Sequence, residues 1–190
     1  MLQSNAFLFK YFTGINIVKN SVFIATSLDG YIADIDEKLD WLPSCEEDDF
    51  GFDEFVEKID AIVMGTNTFN MVCSFDGAWP YTKPVFVVSN SITELDCEYK
   101  DKVSLIKGSP TELISDIHSQ GYKNLYIDGG VIIQNFLRED LIDEMIITTI
   151  PIILGAGKPL FSQFETRINF ECIGSKVVKG IVQNHYKRVK

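Results

Sequence analysis

The sequence predicts an α/β fold on a mostly parallel central sheet, and three observations carry that expectation. Apolar runs that read as strands alternate with segments of helical spacing, which is the pattern of parallel crossovers with helices on both faces. Two of these runs stop at glycine with a helical pattern directly after: Ala61 to Met64 before Gly65-Thr66-Asn67-Thr68, and Leu125 to Asp128 before Gly129-Gly130. The C-terminal part is strand-rich and closes in an antiparallel hairpin.

The elements follow in order. Ser21 to Ser27 reads as the first strand, and Leu28-Asp29-Gly30-Tyr31 as a turn, since Asp-Gly is a strong turn signal. Tyr31-Ile32-Ala33 continues briefly before the polar stretch Asp34 to Asp40. Between Asp49 and Ile59, the residues Phe52, Phe55, Val56 and Ile59 fall at helical spacing. Ala61 to Met64 is the next strand, and Thr66 to Cys73 the next helix, with Thr66 as its N-cap. Pro84 to Ser89 and Val103 to Ile106 are short strands. Ser109-Pro110-Thr111-Glu112 is a capping box with proline at the first helical position; the helix should run to about His118, before Gly121. Leu125 to Asp128 is a strand and Val131 to Leu137 a helix. Asp143 to Ile150 is a long apolar strand, and Pro151 to Gly157 turns the chain. Phe170 to Val178 and Ile181 to Val189 form the hairpin around Lys179-Gly180. Residues 21–190 read as one domain behind an extension, residues 1–20.

Composition narrows the function. The 190 residues suffice for one domain with a sizeable core, and 46% hydrophobic with 23% charged residues is ordinary for a soluble globular chain. A formal net charge of -10 argues against a nucleic-acid or anionic-membrane surface, while leaving room for a local basic pocket. Cys45, Cys73, Cys97 and Cys172 include no CxxC pair, and His118 and His185 lie near no cysteine cluster, so no metal site is expected. Scattered thiols without a secretory signal fit a reducing cytoplasm. Met1 to Asn20 has an apolar run too short to span a membrane and lacks a signal-peptide pattern; an extra strand, a contact segment and a disordered extension all fit it.

A buried strand that ends at a helix start presents unpaired N–H groups and a positive dipole, which suits a phosphate. One such glycine can simply end a strand; two in one small domain point to a ligand with more than one phosphate, and a dinucleotide is the obvious candidate.

Four motifs occur in a telling order: Ala25-Thr26-Ser27-Leu28-Asp29-Gly30-Tyr31-Ile32-Ala33, Met64-Gly65-x-x-Thr68-Phe69, Gly129-Gly130, and Pro151-x-x-Leu154-Gly155-x-Gly157. Together they resemble the dihydrofolate reductase superfamily, most closely the branch with the C-terminal reductase domain of the riboflavin-pathway deaminase–reductase. The resemblance covers roughly Ser21 to Val189 and implies a sheet of about eight strands with NADPH across the strand ends. It implies that Gly65, Thr66, Asn67 and Thr68 cradle cofactor phosphates and that Ser89 and Asn90 lie near the adenosine ribose. By the same resemblance Gly129 and Gly130 lie under the pyrophosphate, a pair joined by a cis peptide in dihydrofolate reductases. Val131 and Ile132 then offer helix-start N–H groups, and Ala25 lies near the nicotinamide carboxamide.

For catalysis, the resemblance points to Asp49, fifteen residues before Met64, as the helix carboxylate. The other reading of Asp49 is first-turn charge facing the helix dipole. Asp29 matches an aspartate that contacts the substrate sugar and is a candidate for both catalysis and substrate binding; it is equally a turn former. Asp128 precedes the glycine pair, where the branch has an acid; it lines the substrate cleft or caps the next helix. Of the aromatics Trp41, Phe50, Phe52, Trp79 and Tyr81, which stack on a planar ring or cover the core, Trp41 is the candidate substrate-side wall.

Three departures stand out. Phe23 replaces the branch's lysine, about twenty residues leave no room for a preceding deaminase domain, and Thr66 replaces the arginine that pairs with the 2′-phosphate. Lys83 and Lys107 are possible substitutes, and NADH use stays open. The expected activity is NADPH-dependent hydride transfer to a C=N or sugar imine or carbonyl group of a small heterocyclic metabolite. The nearest named activity is 5-amino-6-(5-phosphoribosylamino)uracil reductase; the alternatives are dihydrofolate reductase and a non-catalytic dinucleotide-binding dimer. The family also implies a homodimer.

Overall fold

Ala61, Ile62, Val63 and Met64 are all wholly buried, as a strand covered on both faces requires. They belong to β3 in a computed structural model that describes residues 18–43, 50–75, 77–95 and 98–190. The elements are β1 (Lys19–Ser27), β2 (Tyr31–Ala33), α1 (Phe52–Glu57), β3 (Ala61–Gly65), α2 (Thr66–Cys73), β4 (Val85–Val88), β5 (Val103–Ile106), α3 (Pro110–Ser119), β6 (Asn124–Asp128), α4 (Gly130–Arg138), β7 (Glu144–Ile150), β8 (Lys158–Pro159), β9 (Phe170–Val178) and β10 (Ile181–Arg188). The main sheet has eight strands in the order β5-β4-β3-β6-β1-β7-β10-β9. Strands β5 through β7 in that order run parallel, while β10 is antiparallel to both β7 and β9.

The two faces carry separate cores. Helices α3 and α4 pack Ile117, Ile133 and Phe136 against Val22, Val63 and Ile127 of one face. On the other, Phe55 and Phe69 from α1 and α2 pack against Ile62, Met64 and Tyr126. Adjacent strand residues point to opposite faces, so Ile62 and Val63 serve different cores.

The α3 capping box forms as expected: the Ser109 side chain accepts the Glu112 N–H, and the Glu112 carboxylate accepts the Ser109 N–H at 2.8 Å. The hairpin turns at Lys179 (φ 50) and Gly180 (φ 83), two left-handed residues whose twist matches paired strands.

Four details differ from the sequence reading. The N-cap of α2 is Gly65, extended at φ -84 and ψ 168, so Thr66 is already the first helical residue. The strand runs directly into the helix, and no side chain is needed to stop it. Helix α1 is only Phe52–Glu57 because Phe50 and Gly51 both have positive φ (53 and 85); Asp49 lies outside the described residues. A second sheet pairs β2 with β8, whose two residues are too few to give a periodic signal in the sequence. Finally, Cys73 is disulfide-bonded, where the scattered cysteines read as thiols fitting a reducing cytoplasm; Cys172 is free and exposed. Pairing depends on closeness in space, which spacing along the chain does not reveal.

Candidate cofactor and substrate cleft

Strands β3 and β6 are neighbours, with Met64 opposite Asp128, so their two glycine turns open side by side at the same end of the sheet. A cleft of about 700 Å³ runs across these strand ends, a size that suits a small-molecule site. Parallel sheets place their crevices here because the crossover loops part above the C-terminal strand ends.

The first turn, Gly65 to Thr68, and the second, Gly129 to Ile132, both line the cleft, as do Ala25 and Asp128. A Cβ on Gly65 would lie 3.2 Å from Ile132, and one on Gly130 would meet Ile32 at 2.8 Å. Gly129 has φ +87 and packs against the Thr68 hydroxyl. The Gly129–Gly130 peptide is trans.

The helix starts at these turns differ from the third. α3 is sealed by its capping box, and Glu139 accepts from the Thr111 N–H at 3.0 Å as well. Neither α2 nor α4 has a side-chain cap. Their first-turn N–H groups have no acceptor within the helix, and residues of both first turns line the cleft.

The remaining expected residues fall elsewhere. Ser89 and Asn90 are not among the lining residues: the Ser89 hydroxyl accepts the Ile92 N–H at 3.1 Å, and the Asn90 side chain accepts the Gly108 N–H at 3.1 Å. Asp29 is also outside the lining and is used by the chain itself. Its Oδ1 accepts the Ser27 hydroxyl at 2.6 Å and the Leu154 N–H at 3.1 Å; its Oδ2 accepts the Gly155 N–H at 2.7 Å. The Ser27 hydroxyl, helped by these amides, holds the Asp29 carboxyl below its usual pKa. Asp29 is thus the latch between the turn after β1 and the loop after β7. Trp41 does not line the cleft either, although its neighbours Leu39 and Leu42 do; its buried indole N–H has no partner among the described residues.

Asp128 sits at the cleft floor. Burial raises its pKa to about 6, against the Gly129 N–H, which donates to Oδ1 at 2.8 Å, and the nearby Tyr126 hydroxyl. That hydroxyl donates to the Phe23 carbonyl at 3.0 Å. Tyr81 is also pushed up, by burial first and then by Asp128.

Sequence reasoning missed the other wall. Met71, Val72 and Phe75 follow the expected Thr68 at i+3, i+4 and i+7 and line the cleft with it; that helical spacing was readable. Glu37 and Lys158, which pair at 2.8 Å at the cleft, were not, because β8 brings them together only in the fold.

The sheet order, the antiparallel closing strands and the strand-end cleft define a dihydrofolate reductase-like fold. A dihydrofolate reductase from Enterococcus faecalis in complex with NADP(H) superposes with a TM-score of 0.65 at 20% identity, covering 90% of this chain and 97% of that one. The chain belongs to the RibD C-terminal domain family, whose model matches residues 20–183. It is 34% identical over 173 residues to the uncharacterised Bacillus subtilis protein YwjB, covering 90% of this chain and 98% of that protein. It also resembles the crystal structure of a Shewanella sp. PV-4 protein named provisionally for riboflavin biosynthesis, with 53% identity and a TM-score of 0.86 over 90% of this chain and 99% of that one. No helix among the described residues is long and apolar enough to cross a membrane.

Proposed function

We propose that the protein is an NADPH-dependent reductase that delivers hydride to a C=N or carbonyl carbon of a small heterocyclic metabolite. The observation that carries this reading is the pair of uncapped helix starts, α2 and α4, opening on one cleft beside glycines. The residues present fit a dinucleotide: two adjacent N-termini offer donors and positive dipole ends for a diphosphate. Gly65, Gly129 and Gly130 keep side chains out of the approach. A bound dihydronicotinamide supplies the hydride, and the protein aligns the acceptor in a cleft that limits water.

Ala25 keeps the sheet floor low where the nicotinamide ring is expected. Asp128 faces the acceptor and, with a pKa of about 6, holds a proton within one pH step of neutrality. Asp29 serves the reaction by fixing the β1 turn. Among named activities, pyrimidine reduction in riboflavin synthesis is the nearest. We infer a homodimer as well: among the described residues β9 ends the sheet with Ile173 and Val177 exposed, and an edge strand invites a partner. Light scattering should give twice the 21.5 kDa chain mass.

The deciding experiment is calorimetric titration of the purified protein with NADPH and NADH. Micromolar NADPH binding is expected. If neither dinucleotide binds, the glycine turns are structural and the reductase reading fails.

A further inference from the structure

Resting on that reading, the mouth of the cleft holds a contact that a dinucleotide must break. Among the described lining residues Lys158 is the one with a cationic side chain. Its ammonium is paired with the Glu37 carboxylate at 2.8 Å, and both side chains are about half exposed. Two backbone arrangements bring the pair together. Lys158 lies opposite Ala33 in the β2–β8 ladder. Glu37 is delivered by a tight turn after β2, in which Asp34 Oδ1 accepts the Asp36 and Lys38 N–H groups, each at 2.8 Å. Within that turn Glu37 takes φ 64. A left-handed glutamate carries strain, and strained residues of this kind collect at ligand sites.

Strand β8 is also fastened to the start of α4. The Gln134 amide on that helix donates to the Pro159 and Leu160 carbonyls at 3.0 and 3.1 Å. A Cβ on Gly130, the first residue of α4, would lie 3.5 Å from the Pro159 carbonyl oxygen. Lys158 directly precedes Pro159, so its ammonium is within a side chain's reach of this uncapped helix start.

A helix start supplies only about half an elementary charge, so two of them offset about half of a diphosphate's double negative charge. The chain as a whole, at a net charge of -10, adds repulsion. Lys158 supplies the missing cation. A carboxylate and a phosphate on one ammonium repel each other, so Glu37 gives way as the phosphate arrives. A half-exposed ion pair holds its partners weakly, whereas a phosphate shared by an ammonium and a helix start is held by charge-assisted bonds. The exchange favours the phosphate.

We propose that Lys158 is the ammonium that takes the cofactor diphosphate, and that Glu37 is an internal competitor for it: dinucleotide binding exchanges a carboxylate for a phosphate on Lys158. Glu37 thereby keeps the cofactor exchangeable, as suits a reductase that releases its oxidised cofactor in every turnover.

The test is calorimetric titration of the native protein, Lys158→Gln, Glu37→Gln and the double variant, with NADPH and with inorganic pyrophosphate. Lys158→Gln should weaken NADPH binding about tenfold or more. Glu37→Gln should tighten it about three- to tenfold. In the double variant that gain should vanish, leaving the affinity of Lys158→Gln. The gain sets competition apart from a structural role, since a pair that only braced β2 on β8 would cost affinity whichever partner was removed. Thermal melting checks the fold, and Glu37→Asn, which suits the left-handed backbone, serves should Glu37→Gln not fold. Unchanged or weaker NADPH binding in Glu37→Gln overturns the proposal. So does a loss under about threefold in Lys158→Gln, or a Glu37→Gln gain that survives in the double variant. Pyrophosphate separates the two readings. Native protein that binds pyrophosphate but no dinucleotide sinks the reductase reading alone, and the same variants then decide the exchange with pyrophosphate; native protein that binds neither overturns both.

Discussion

Gly129 and Thr68 come from different crossovers and meet where β6 and β3 lie side by side: a Cβ on Gly129 would fall within 3.0 Å of the Thr68 hydroxyl. This contact locks the two glycine turns into one unit. It explains why glycine is required at 129 for two separate reasons, backbone conformation and space.

Gly129→Ala therefore combines a left-handed backbone penalty with overpacking, together about 2–4 kcal/mol of lost stability. Adding Thr68→Ala removes the hydroxyl but not the φ of +87. The double variant should recover about 1–2 kcal/mol, and a double-mutant cycle by denaturant unfolding measures it. Strict additivity would mean that the two turns do not press on each other.

Asp29 predicts an acid-sensitive latch. Its pKa is lowered in the folded state, first by the Ser27 hydroxyl and then by the Gly155 and Leu154 amides. A lowered carboxylate pKa contributes stability that is present above the unfolded value, near 3.8, and is lost as pH falls through the folded value. Melting temperature should drop below about pH 4 more steeply in the native protein than in Asp29→Asn. The variant should also be less stable at pH 7, because an amide cannot accept at both oxygen positions. Equal acid profiles would remove Asp29 from this role.

Asp128 has the opposite sign. Its folded pKa is raised to about 6, so its stability contribution is fully present below the unfolded value and is lost as pH rises through 6. Asp128→Asn should be more stable than the native protein at pH 8 by about 2 kcal/mol, with the gain vanishing near pH 4. Reduction of any accepted substrate should fall in the same variant. A stability gain together with an activity loss is the signature of a carboxyl kept in an unfavourable place for function; parallel losses of both would indicate a purely structural carboxyl.

These residues also mark what the chain disclosed in advance. The turns at Gly65 and Gly129 were legible because an apolar run, a glycine and a helical pattern are local and consecutive. The cap of α3 was legible for the same reason. The role of Asp29 was hidden because its amide partners lie 125 and 126 residues away; locally, Ser-Leu-Asp-Gly reads the same whether the carboxylate meets substrate or a distant loop. The pairing of Lys158 with Glu37 depends on a two-residue strand, β8, with too little pattern to detect. Thr66 looked like a cap because threonine favours that place, but the extended Gly65 had already taken it.

The hairpin turn gives a last, independent prediction. Lys179 adopts φ 50, a left-handed conformation that costs a lysine about 1 kcal/mol and costs asparagine much less. Gly180 at φ 83 completes a turn of the kind that Asn-Gly favours most. Lys179→Asn should relieve about 0.5–1 kcal/mol of backbone strain, offset by the interaction Lys179 makes in the native protein, and leave ligand binding unaltered, since residue 179 lies outside the cleft lining. Denaturant unfolding measures the net change. A loss instead would mean that Lys179 contributes an interaction worth more than the strain it bears.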